Sequence, residues 1–338
     1  MVYQYKCNRI ITLKKHTFAP LKKVLFTYMI SRRNIRVKVM QTMYTLASLD
    51  NGAEVNKVAA GRILNDKLDH VLDIFTVSVL YTVRIAQYAE TDAANRSAKY
   101  LPSSADMNVH TGIASNTFVL KQMANASFTE KIKKDKLERF VDEDWVKKIY
   151  QSLLKANEYD EYIGKTTHTP AEDKDIIKYI WEQQMLTNEG LMSHFTDELP
   201  GWEDDSEMIV MLMQNFFKST TKTNFANLLS GEKKDYAHDL LNATIDKEEY
   251  CVELITPKLM NWDKERVALI DMLLLRMGVC EFIYFPTIPT KVTINEYIDI
   301  AKQYSTPQSG QFVNGVLDNI LKDLAKENKI RKEDRNAK

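Results

Sequence analysis

Arg32, Arg33 and Arg36 fall within the stretch SRRNIRVKVMQTMY, Ser31 to Tyr44, and with Lys38 they place four cations in seven residues. A guanidinium group offers a planar fork of donors that matches phosphate and carboxylate oxygens, so the chemistry open to these residues is capture of an anion. Ile35, Val39, Met43 and Leu46 recur at three and four residues, which predicts a helix with Ser31 as its cap. That places the arginines in or just after the first turn. Cations there face the positive end of the helix dipole and forgo about 0.3–1 kcal/mol each, so helix stability does not account for them. The surrounding charge is lopsided in the same sense: residues 1–49 hold ten Lys or Arg and no acid, in a chain with 46 bases and 46 acids. A head of +10 on a body of −10 points to an anionic partner, whether nucleic acid, an anionic membrane or an import receptor reading a transit peptide. A merely solvated basic helix end is the plain alternative.

Residues that could carry catalysis are poorly placed for it. His16, His70, His110, His168, His194 and His238 lie far apart, without the i, i+4 spacing of a helical metal pair. Cys7, Cys251 and Cys280 suggest neither a disulfide framework nor a zinc knuckle, and they fit a reducing cytoplasm. There is no glycine-rich phosphate loop and no G-x-S-x-G elbow. Glu203, Asp204 and Asp205 follow Trp202 at an expected helix start, where they complement the dipole. The sequence therefore reads as non-enzymatic, with no metal and no cofactor.

The elements that must position the arginines are helices. Hydrophobic content of 44% with only ten glycines and eight prolines in 338 residues indicates long helices and few tight turns, an all-α fold. The most apolar stretches, near Val71 to Ala89 and Val267 to Phe285, are interrupted by Asp73, Arg84, Asp271, Arg276 and Glu281, which argues against a membrane span. Residues 1–28 are assigned no fold: they read as a presequence, a disordered arm, or sequence upstream of a true start at Met29. Glu54 to Ala98 reads as one or two helices, and YLPSSADMNVHTG from Tyr100 as a loop. Segments starting at Asp144, Asp175 and Asp235 share apolar positions and end in the polar pairs Asn157-Glu158, Asn188-Glu189 and Glu248-Glu249. Helical hairpins, or chance similarity between amphipathic helices, account for them. Ile288 to Leu321 reads as two amphipathic helices joined by STPQSG.

The wording of that last block resembles the NusB family of transcription antitermination factors. The resemblance is carried by Lys291, Val292, Ile294, Asn295, Glu296, Ala301, Lys302, Ser309 and the run Phe312 to Asp318, FVNGVLD. It extends back through RVALIDMLLLRMGVCEF, with Arg276 and Glu281 at matching positions, and to the opening arginines leading into Gln41, Met43 and Tyr44. It implies a pair of packed helical bundles, here with an extra helical insert in the amino-terminal half. The expected organisation is a basic extension over 1–28, an amino-terminal helical region with the insert over 29–231, a carboxy-terminal NusB-like bundle over 232–327 and a disordered tail over 328–338.

By the same resemblance the chain is a cytoplasmic factor that binds boxA-like single-stranded RNA of ribosomal RNA leaders together with NusE, a small-subunit ribosomal protein. It would act on the RNA polymerase elongation complex and needs no membrane. Arg32, Arg33, Arg36, Lys38, Ser309, Gln311 and Phe312 are the expected RNA-binding residues, with Phe312 as a base-stacking platform; the alternative makes Phe312 a core residue of its helix. Tyr44 and Glu281 are the expected NusE contacts, against burial within the bundle. Gly310 and Gln311 stand where many members carry basic residues, which lessens phosphate attraction on that side. The competing reading of the whole is a helical protein-interaction scaffold whose RNA site has decayed.

Overall fold

The computed structural model describes residues 30–49, 56–219, 223–227, 229–259 and 267–333. The basic extension and the last residues of the tail lie outside them. The described residues form helices and turns with no strand. Helix α1 is Arg32–Leu49, capped as expected by Ser31, whose hydroxyl accepts from the Asn34 amide at 3.1 Å. The 54–98 segment is one helix, α2, Lys57–Ser97. The expected loop after it holds only the one-turn helix α3, Ser104–Met107, closed by a capping box between Ser103 and Asp106. Next come α4 (Thr117–Met123), α5 (Ala126–Lys134), α6 (Glu143–Leu153), α7 (Asn157–Ile163) and α8 (Pro170–Tyr179), which runs into a π-helical turn. They are followed by α9 (Glu189–Glu198), α10 (Trp202–Lys218), α11 (Gly231–Asp246), α12 (Glu248–Ile255), α13 (Leu269–Tyr284), α14 (Thr290–Tyr304) and α15 (Ser309–Lys326). Each of the three similar segments is a helix–turn–helix whose second helix begins at the polar pair.

The chain forms two compact units, which do not follow the expected blocks 29–231 and 232–327. Residues 30–68 fold with 229–333, and within this unit α1 packs on α11 and α13. Lys332 belongs to this unit: its ammonium donates to the carbonyl oxygens of Glu281 and Phe285, each at 2.9 Å, so the fold continues past the expected tail boundary at 328. Residues 69–227 form the other unit around Phe75, which stacks on Phe225 and meets Phe216 edge-on.

The axis of the first unit is α13. Every residue from Leu273 to Phe282 is buried, including Arg276 and Glu281. A helix covered on all sides cannot leave a charge without a partner, so the neighbours of α13 must supply one for each. Gly278 allows a close approach: a Cβ there would lie 2.9 Å from Leu317 Cδ2 on α15.

Candidate nucleic-acid interface

The chemistry of the site is organised by Glu281. Its carboxylate, fully buried, accepts from Arg36 Nε (2.9 Å) and Nη2 (2.6 Å), a bidentate fork. Thr293 and the hydroxyls of Tyr236 and Tyr297 complete the set at 2.8, 3.0 and 3.1 Å. One acid thus ties α1, α11, α13 and α14 together. Burial alone would lower the Arg36 pKa, but the hydrogen bond to Glu281 lifts it above its ordinary value. Burial likewise pushes Glu281 up, and the bonds from Arg36, Thr293 and Tyr236 more than offset it, leaving the carboxyl below the usual range. Both shifts favour the ionised pair. Burial, with the Glu281 charge beside them, raises Tyr236 and Tyr297 well above ordinary phenols, so both remain hydrogen-bond donors.

This geometry corrects two expected roles. Arg36 is 2% exposed and Glu281 is 0% exposed, so neither offers a side chain to RNA or to a protein partner. They are each other's partners. Phe312 is also buried, in the apolar stripe with Val313, Val316 and Ile320 that packs α15 on α13 and α14, so the core reading replaces the base stack. Ser309 is buried and donates to Asp271 Oδ2 at 2.7 Å while accepting from the Thr306 amide at 3.1 Å. It secures the start of α15 instead of facing solvent. Lys38 is nearly buried, with its ammonium 3.2 Å from Gln41 Oε1.

The remaining expected residues reach the surface. Arg32 pairs with Glu232 at 2.6 Å and lies over the Tyr236 ring, 5.5 Å from its centroid. Arg33 stands 3.5 Å from Asp299 and 3.8 Å from Glu296 on α14. Lys302, one turn further along α14, is 3.7 Å from Asp299, and its stem covers Gly310 at the start of α15. Gln311 beside it is exposed. The first turn of α1, one face of α14 and the first turn of α15 therefore carry Arg33, Lys302 and Gln311, with Arg32 next to Arg33 on α1 and turned towards α11. Tyr44, 44% exposed, stands further along α1.

Sequence reasoning did not place Lys302 beside the arginines, although Ala301 and Lys302 are among the residues that carry the resemblance. It also missed Lys233, whose ammonium donates to the Ile30 carbonyl at 2.9 Å and whose pKa is lowered by burial and by the Arg32 charge. A usable signal for the buried pair was present: an acid and an arginine inside an otherwise apolar helix demand partners from other elements.

Comparison with known proteins bears on this unit and on the last helix of the other. A family profile described as NusB family matches residues 202–322, covering α10 to α15. The transcription antitermination protein NusB of Salinibacter ruber is 44% identical over 99 residues, 29% of this chain and 62% of the relative. That of Methylacidiphilum infernorum is 40% identical over 95 residues, 28% of this chain and 66% of the relative. The chain thus spans less than two thirds of the length of either. NusB of Fervidobacterium nodosum is 36% identical over 119 residues, 35% of this chain and 80% of the relative. With four fifths of a relative matched at that identity, and with an arginine-led first helix locked to the central helix through Arg36 and Glu281, the chain belongs to the NusB family.

Proposed function

We propose that the chain is a non-catalytic transcription antitermination factor that binds boxA-like single-stranded RNA together with NusE and acts on the elongating RNA polymerase. Family membership is the observation that carries this reading. The surface of Arg32, Arg33, Lys302 and Gln311 supplies its chemistry, with Tyr44 the residue proposed to face NusE. The ion pairs of Arg32 and Arg33 do not oppose it. Both arginines are about one-third exposed, and pairs of that kind contribute about 0–1 kcal/mol, so phosphate oxygens can take the place of Glu232 and Asp299. The forks then position the strand, while the Gln311 amide offers a donor and an acceptor to a base edge.

The competing scaffold reading draws support from the same ion pairs, since every cation of the opening cluster has a protein partner. Salt separates the two. Fluorescence anisotropy on a boxA-like and a scrambled strand, with and without NusE, is expected to show selective binding that weakens with salt. With Arg32, Arg33 and Lys302 as the contacts, log affinity against log salt has a slope near about −2 from this surface. Arg32→Ala/Arg33→Ala/Lys302→Ala removes that contribution. Selectivity absent in the wild type, with or without NusE, establishes the scaffold reading instead.

A further inference from the structure

In the unit of residues 69–227, acids outnumber bases, yet the nine residues KIKKDKLER, Lys131 to Arg139, hold five cations and two acids. Both acids are already engaged. Asp135 pairs with Lys131 at 2.7 Å, and Lys131 also bonds Asp73; Glu138 pairs with Arg84 at 2.9 Å. Lys133, Lys134, Lys136 and Arg139 are exposed, and none has an ion pair among the described residues. The dipole of α5 explains two of them, since Lys133 and Lys134 occupy its last turn. It does not explain Lys136 or Arg139.

The backbone gathers these four cations. Lys136 has φ 53, a left-handed conformation that glycine or asparagine adopts more readily, and it reverses the chain between α5 and a 3-10 turn over Leu137–Phe140. Its amide donates to the Lys133 carbonyl and its carbonyl accepts from the Arg139 amide, both at 3.4 Å. Arg139 lies over the Phe140 ring, 4.6 Å from the centroid, and being exposed presents its other face to solvent. Ile132 and Leu137, the aliphatic residues of the turn, are buried.

Spaced cations beside a flat group that can stack on a base are what a single-stranded nucleic acid requires. A membrane surface would favour exposed apolar side chains to insert, and this turn buries its own. We propose that the turn Lys133–Arg139 is a second RNA-binding surface, with phosphates held by Lys133, Lys134 and Lys136 and one base stacked on the Arg139 guanidinium. It rests on the reading that the chain handles RNA, while its position follows from its own geometry. Its contacts are to backbone and π-face, so it binds without sequence preference, unlike the surface around Arg33.

The test uses the full chain and the variant Lys133→Gln/Lys134→Gln/Lys136→Asn/Arg139→Gln, in which asparagine keeps the left-handed residue and circular dichroism checks the fold. Anisotropy is read against salt on a boxA-like and a scrambled single strand. The expected result is a slope reduced by about 2–3 on both strands alike, with the preference for the boxA-like strand intact. If the fourfold variant does not fold, Lys133→Gln/Lys134→Gln on the exposed end of α5 is expected to reduce the slope by about 1.4. Unchanged slopes on both strands overturn the proposal, and with selective binding still sensitive to Arg32, Arg33 and Lys302 they leave the family reading standing. A change confined to the boxA-like strand also overturns it. So does variant-sensitive binding to phosphatidylserine vesicles with unchanged RNA slopes, while a wild type that binds neither strand overturns both readings.

Discussion

At the scale of residues, the deciding fact is which cations are committed. An exposed ion pair is exchangeable, but breaking a buried one strands a charge without water, at a cost of about 3–5 kcal/mol. Arg36→Ala is therefore expected to lower unfolding stability by about that amount in urea denaturation. If the folded variant retains the wild-type salt slope for RNA, Arg36 acts in the core; a lost slope with unchanged stability would restore it to the RNA surface. Glu281 adds a pH dependence. Its folded pKa lies below the unfolded value near about 4.3, so in that interval the unfolded chain binds the extra proton. The pair's contribution is complete above the unfolded value and is lost as pH falls through the folded one. Glu281→Gln, which lacks this proton, is expected to show a shallower loss of stability between about pH 5 and 3 than the wild type, whatever its starting stability. Equal acid slopes would show that Glu281 is not held ionised.

Among the elements, legibility followed periodicity. Spacing located α1, α14 and α15, and the polar pairs marked where the second helices of the hairpins begin. It could not tell which side of a helix end faces inward. Arg36 stands four residues before Met40 and seven before Met43, on the buried side, whereas Arg32 and Arg33 one turn earlier remain at the surface. Phe312 posed the same difficulty, since an aromatic at the first turn of a helix serves a core and a stacking platform equally well until the packing of α15 on α13 is known. Two glycines of this packing predict opposite outcomes. In Gly278→Ala the new methyl meets both methyl groups of the buried Leu317, at 2.9 and 3.1 Å, and overpacking of this kind costs about 1–3 kcal/mol. In Gly310→Ala the neighbour is the Lys302 stem, with its Cγ at 2.8 Å, a flexible chain that can swing away. Stability is expected to hold within about 1 kcal/mol, since alanine also favours the helix. RNA affinity is expected to change because Lys302 moves. Urea denaturation and anisotropy on both variants check the contrast, and destabilisation by Gly310→Ala without an RNA effect would remove Lys302 from the proposed surface.

For the molecule as a whole, the physical problem is how one chain joins the unit of residues 30–68 and 229–333 to a second unit of residues 69–227. The matched segments make each of the three NusB relatives less than half the length of this chain. The contacts of α2 with α11 indicate where the extra chain enters. Lys57 pairs with Asp246, and Asn65 Oδ1 lies 3.0 Å from His238 Nε2, so the two helices run antiparallel, α2 advancing as α11 retreats. In that register Leu68, the last residue of α2 within this unit, comes near the start of α11. Within this unit the chain therefore breaks off after Leu68 and resumes at Leu229 near the same end of the α2–α11 pair, a gap of the kind that about 2–8 residues can bridge. Joining residues 29–69 to 230–333 through about four residues of glycine and asparagine is expected to give a chain with a single cooperative urea transition. Its m-value should fall in proportion to the surface lost. That chain is expected to keep the boxA-preferring RNA binding proposed for α1, α14 and α15, and to lose the sequence-independent component proposed for Lys133–Arg139. A chain that instead aggregates or unfolds without cooperativity would show that α2 is held by its length beyond Leu68, and that the insert is a structural part of the NusB unit rather than an addition to it.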